Sequence, residues 1–318
     1  MKNYFLPLIY KAILKYLNSF GKTSKKTQYK KYSMSTYKIS FKQLRQQPHI
    51  SEMLTALEKG LNKYNIDFYL VGVVARHAGM NAINDIPPSR VTGDIDFAIF
   101  INDKNTYMDL REYLINVEGF IPYKDNGFVL KWKNIIQIDL MPFGEIEAKP
   151  SNVTVEGTGL TSLNMPGFKE IYDSGFPDAE LEEKHRFKFC TLPGIVLLKL
   201  LAFQERPEIR RDDIKDISKI LKHFFDMYTD EIYENHSDLF DDKDINLHWI
   251  AARVLGRDMG KIAQLNKDLF DKIRKILNKN TVDIHSSDIG KIMAEFFQNT
   301  IEANIKLLQQ VKIGYLEN

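Results

Sequence analysis

RVTGDIDFAIFI, Arg90 to Ile101, places two carboxylates, Asp94 and Asp96, at the head of an apolar run rich in β-branched and aromatic residues. That composition, alternating around the acids, predicts a strand over Asp94–Ile101. Side chains two apart on a strand share a face, about 6.5 Å apart along the backbone. Ile95, Phe97 and Ile99 then point to the opposite, core-facing side, so the two acids sit on a formed sheet.

Upstream, Ser51 can cap a helix whose apolar face is Leu54, Leu57 and Leu61, running to Tyr64. DFYLVGV, Asp67 to Val73, predicts a second strand that turns at Gly72 into a short helix, and Asn84 to Gly93, with Pro87 and Pro88, reads as a loop. Downstream, Tyr107, Leu110, Leu114 and Val117 recur at helical spacing over Thr106–Val117. Strands at Phe128–Trp132 and Ile135–Phe143 follow, joined by a tight turn at Lys133 and Asn134. Residues 144–182, rich in Gly, Pro and Ser, read as a connection wrapping this unit. Beyond it the period is helical: LPGIVLLKLLAFQE with Pro193 near its start, then 212–228, 247–256, 260–277 and 287–311.

Composition narrows the class. The chain has 318 residues, 44% hydrophobic, 12% aromatic and 27% charged, which excludes collagen-like, low-complexity and wholly disordered chains. The single cysteine, Cys190, forms no internal disulfide and reads as buried filler; seven scattered histidines give no zinc-ligand spacing. A reducing cytoplasm is the expected compartment. No run of about 18 uninterrupted apolar residues is present, so no membrane-spanning segment is expected. The net charge of +2 conceals an asymmetry: residues 1–31 hold eight lysines and no acid, leaving 36 basic against 42 acidic residues, a balance of −6, for the rest. Residues 1–48 read as a basic leader, either a frayed tail, with Met34 as an ordinary start, or an amphipathic helix touching a membrane surface or nucleic acid. GKTSKK at Gly21–Lys26 has the tail of a phosphate-binding loop, but Tyr16 stands where that loop needs glycine.

The chemistry concentrates on acids. Asp139 lies amid Ile135, Ile136, Ile138, Leu140 and Met141, where an uncompensated carboxylate costs several kcal/mol or is forced to protonate. If its strand pairs beside the Asp94–Asp96 strand, three carboxylates converge, and one or two hard divalent cations, Mg²⁺ or Mn²⁺, are the usual compensation. Such a pair of ions suits phosphoryl displacement. Gly72, where a strand turns into a helix, lets backbone amides approach phosphate, with Arg76, Arg90 and Thr92 available to neutralise it. Taken singly, Gly72 is a turn residue, and Arg76 and Arg90 are solvated cations. His77 reads as a surface residue beside a helix start, and no Ser/His/Asp order stands out along the chain.

VGVVARHAG, RVTGDIDFAIFI, IQIDLMPFGEIE and LPGIVLLKLLAFQERPEIRRDDIKDI, in that order, resemble the nucleotidyltransferase superfamily related to DNA polymerase β, and within it the AbiEii/AbiGii toxin-type proteins. The resemblance spans Ile50 to Tyr228. It implies an α+β fold, a mixed sheet flanked by helices and followed by a helical C-terminal region, with a core at 49–182 and a helical domain at 183–318. It implies transfer of a nucleoside monophosphate from a nucleoside triphosphate to an acceptor hydroxyl, on RNA or another macromolecule, with a cognate antitoxin as partner. Asp94, Asp96 and Asp139 would be the catalytic, metal-holding carboxylates, and Gly72, Val73, Arg76, Arg90, Thr92, Lys199 and Asp213 would face the nucleotide. Lys199 can equally snorkel from an apolar helix, and Asp213 and Asp216 can serve as helix N-terminal acids pairing Arg210 or Arg211. Val73 stands where the superfamily carries Gly or Ser, and Asp212 where relatives carry lysine. A small cationic acceptor of the aminoglycoside kind, and a non-catalytic binding protein, are the competing readings; the −6 body suits the former and Val73 the latter.

Overall fold

The computed structural model describes residues 36–40, 49–82, 84, 86, 94–147, 151–155, 159–240 and 246–317. The eight lysines of residues 1–31, the GKTSKK string, Arg90 and Thr92 lie outside them. Among these described residues ten strands follow in chain order: β1 Thr36–Ile39, β2 Phe68–Leu70, β3 Asp94–Phe100, β4 Ile121–Pro122, β5 Val129–Trp132, β6 Ile136–Phe143, β7 Asn152–Thr154, β8 Ser162–Asn164, β9 Asp178–Leu181 and β10 His185–Phe189. The helices are α1 Ile50–Lys63, α2 Gly72–His77, α3 Lys104–Asn116, α4 Phe168–Ser174, α5 Leu192–Glu205, α6 Arg211–Met227, α7 Thr229–Asn235, α8 Leu247–Ala263, α9 Lys267–Lys279, α10 Asp288–Phe297 and α11 Ile301–Leu316. The fold is α+β, as expected.

Eight strands form one mixed sheet in the order β1-β9-β10-β2-β3-β6-β5-β4, and β7 and β8 pair separately. β3 and β6 run parallel in register, Asp94 beside Gln137, Asp96 beside Asp139 and Phe97 beside Leu140. Ile95, Phe97, Ile138 and Leu140 are buried, while Asp94, Asp96, Gln137 and Asp139 keep partial exposure on the other face. The Lys133–Asn134 turn closes β5 onto β6 with both residues at positive φ, 51° and 53°, and Ile135 also lies in the connection, since Trp132 pairs with Ile136. α3 begins two residues earlier than expected because Asp103 caps it, accepting a hydrogen bond from the Thr106 amide at 2.9 Å.

The sheet reaches further along the chain than 49–182: β1 precedes that span, and β10 follows it, running parallel to β2 with Phe189 beside Leu70. Residues 144–182 supply β9, an integral strand of the sheet, besides a connection. Two helical expectations change. α8 continues through Gly256 and Gly260 to Ala263, because Gly256 marks a close helix contact: a Cβ there would lie 2.1 Å from the Val311 carbonyl oxygen of α11, and one at Gly314 would lie 1.9 Å from that of Arg253. The expected 287–311 helix is two, broken at Gln298, whose φ of 54° ends α10 before Thr300 caps α11.

Candidate active site

β2 ends at Leu70, and the Val71 amide donates to the Asp96 carbonyl oxygen at 3.0 Å, bringing the start of α2 against β3. Gly72 opens α2 with φ +64°, and a Cβ built on it would stand 1.9 Å from Asp96 Oδ2. Both facts require glycine: the left-handed backbone disfavours any side chain, and the Asp96 carboxylate fills the space a side chain would need.

Three carboxylates share this face. Asp96 is pushed up to about 7, chiefly by burial and then by the charges of Asp139 and Asp94, with Lys199 and Arg210 pulling the other way. Asp139 is also raised, by burial first and by Asp94, against a hydrogen bond from Gln137 Nε2 to its Oδ1 at 2.9 Å. Among the described residues no group of three or more His, Cys, Asp or Glu side chains stands close enough together to hold a metal ion. The three side chains offer only carboxylate oxygen and their charges oppose one another, a repulsion of the kind that a hard cation would relieve. Beside it, Asp94, Lys131, Asn134, Ile135, Ile136 and Gln137 line a pocket of about 320 Å³.

The helical region contributes a buried ionic chain. Lys199 of α5, 8% exposed, donates to Asp213 Oδ1 at 2.5 Å and reaches Asp216 Oδ2 at 3.0 Å, both on α6. Arg76 of α2, 1% exposed, pairs with Asp216 Oδ1 at 3.0 Å, and Arg210 stands 3.7 Å from Asp213 Oδ2. The same lysine and Arg210 act electrostatically on Asp96, so the chain of charges runs up to the carboxylate face. Arg76 thus spends its charge on Asp216, and Lys199 stays buried and paired instead of snorkelling to solvent. Val73 is buried against the core, and His77, expected at the surface, is 2% exposed with Arg76 Nη2 3.4 Å from its Nε2. Cys190 is buried, its amide donating to the Leu70 carbonyl at 2.8 Å, and burial pushes its thiol up. Gln137 escapes the sequence reading although its period-two spacing from Asp139 gives it away; Arg210 carries no such signal, because only the packing of α6 brings it near Asp96.

Replacing Lys199 by Met is expected to lower unfolding stability by about 3–5 kcal/mol, since Asp213 and Asp216 lose their shared buried cation. Urea titration followed by circular dichroism reads this directly; a change under about 1 kcal/mol would sink the account.

No family model and no curated protein matches the chain. Among solved structures, it is similar to the antibiotic-resistance factor ANT(2'')-Ia, determined in solution and described as having substrate-regulated conformation dynamics. The two are 11% identical with a TM-score of 0.30, over 60% of this chain and 100% of that one. Among the described residues no helix is long and apolar enough to cross a membrane.

Proposed function

We propose that the chain is a metal-dependent nucleotidyltransferase, moving a nucleoside monophosphate from a nucleoside triphosphate to an acceptor hydroxyl. The observation that carries this reading is Asp96, seated against Gly72 at positive φ and aligned with Asp139 on the face it shares with Asp94. Asp94, Asp96 and Asp139 would hold Mg²⁺ or Mn²⁺, which when bound neutralises the triphosphate and the charge developing during transfer. Asp139, raised by burial, is placed to accept the acceptor hydroxyl's proton as that oxygen attacks the α-phosphorus and pyrophosphate departs. Gly72 leaves room for the Asp96 carboxylate beside the backbone at the start of α2, and Lys199 and Arg210 supply positive field on the same side.

The acceptor in this reading is RNA or another macromolecule, and the biological role is the toxin of a toxin–antitoxin pair. A second reading, a small cationic acceptor, is favoured by the 320 Å³ pocket beside Asp94, a volume suited to a small molecule. Purified protein, α-labelled nucleoside triphosphates, Mg²⁺ or Mn²⁺, and either total RNA or an aminoglycoside separate the two. Label is expected in RNA with wild-type protein and absent with Asp139→Asn. Label in the aminoglycoside alone favours the second reading. No label in either with any nucleotide leaves a binding protein on a catalytic scaffold.

A further inference from the structure

A second constellation, sharing no residue with the carboxylate site, lies where α1 crosses β10. His185, 1% exposed, is bracketed by two residues of one α1 face seven positions apart. Its Nδ1 stands 3.0 Å from Glu58 Oε1 and 3.1 Å from Oε2, and its Nε2 stands 2.9 Å from Ser51 Oγ. Lys184 Nζ donates to the same Oγ at 3.1 Å. We propose that Ser51, His185 and Glu58 form a nucleophilic triad that cleaves short-chain carboxylic esters.

The hydrogen-bond chemistry fixes the roles. An ionised Glu58 only accepts, so Nδ1 carries the ring proton and donates it; Nε2 of the neutral ring then presents a lone pair and accepts from Ser51 Oγ–H. Lys184 cannot accept, so its bond occupies one Oγ lone pair and turns the hydroxyl proton toward Nε2. This is the nucleophile, base and orienting acid of serine hydrolases, which is recognised by geometry and role whatever the chain order. Thr55 Oγ1 donates to the Ser51 carbonyl at 2.8 Å, fixing the backbone that carries the nucleophile. Ser51 also lies in the first turn of a 14-residue helix, where amides lack intrahelical acceptors. The Lys184 ammonium, 3.1 Å from Oγ, supplies positive charge beside the place where an attacked carbonyl oxygen would become an oxyanion. Ser51 is half-buried and Lys184 exposed, so a small ester can reach Oγ from solvent.

In the step, Oγ bonds to the ester carbonyl carbon as its proton passes to Nε2. The tetrahedral oxyanion collapses, the bond to the alcohol oxygen breaks, and Nε2 returns the proton to that alcohol, leaving Ser51 acylated. Water then attacks the acyl carbon by the same proton transfers, releasing the carboxylic acid and restoring Ser51.

The test treats the full chain with a fluorophosphonate probe, in which Oγ displaces fluoride from phosphorus, and with p-nitrophenyl acetate. One adduct, located on the Ser51 peptide by mass spectrometry, is expected in wild type and none in Ser51→Ala. Glu58→Gln, which keeps the serine and the histidine, is expected to slow labelling at least about 10-fold. A melting curve run on each variant confirms that it is folded. Folded wild-type protein without an adduct on Ser51 overturns the proposal. So does Glu58→Gln labelling as fast as wild type, or ester cleavage undiminished in Ser51→Ala.

Discussion

Asp96→Asn is expected to abolish label transfer while making the metal-free protein more stable at pH 8. The carboxyl of Asp96 lies at about 7 in the folded chain against an ordinary 3.8, because burial, Asp139 and Asp94 all oppose its charge. The folded state therefore binds this proton more tightly than the unfolded state does. Stability from this group is greatest at low pH, declines as pH rises from about 4 toward 7, and is fully lost above 7. Asparagine carries no charge at any pH. Its advantage should be largest at pH 8, on the order of 1–2 kcal/mol or a few degrees of melting temperature, and should fade as pH falls toward 4. On the proposed function, transfer should drop by about 10²–10³-fold or more, since one of the three proposed metal-holding carboxylates has been removed. Mg²⁺ or Mn²⁺ should raise the melting temperature of wild type more than that of the variant. Scanning calorimetry from pH 5 to 8, with and without metal, checks both halves. A variant less stable than wild type at pH 8 would show that the Asp96 charge is not under strain.

Gly72→Ala should impair transfer strongly, through two separable effects. Left-handed backbone costs a non-glycine residue about 1–2 kcal/mol, a loss any such position would show. The added carbon, 1.9 Å from Asp96 Oδ2, must also push that oxygen out to ordinary contact, and a misplacement of about 1 Å at a reacting centre can cost on the order of 10²-fold in rate. Gly119→Ala separates the two effects. Gly119 has φ +83° with nothing within 4 Å of its added carbon, so that variant should lose comparable stability and keep full transfer. Equal activities in the two variants would break the link between Gly72 and the carboxylate.

The strands that carry the acids are readable because their information is local. Asp94, Asp96 and Asp139 announce themselves by period-two spacing within apolar runs, and the parallel pairing of β3 and β6 then puts Asp96 beside Asp139. β10 shows its strand character locally, with His185, Phe187 and Phe189 pointing inward between Arg186 and Lys188. Its partner β2 is remote in sequence, and no local pattern encodes that pairing. Glycine misleads at 256, where it serves a close crossing of helices, and informs at 72, where it serves a carboxylate. Arg76 and Asp216 look like surface charges because burial of an ion pair depends on α2, α5 and α6 meeting, and the sequence of each helix is silent on the others.

The strand order also governs how the chain reaches this structure. Leu70 pairs with Phe97 on one side and with Phe189, roughly 120 positions on, on the other. The half-sheet from β2 to β4 can assemble from neighbouring segments, and then waits with the β2 edge open until β10 is threaded alongside it. Closing so long a loop is slow, and an open edge of buried, apolar strands is a template for another copy of the same chain. Refolding yield should accordingly be set by protein concentration and temperature during that interval, more than by the stability of the finished fold.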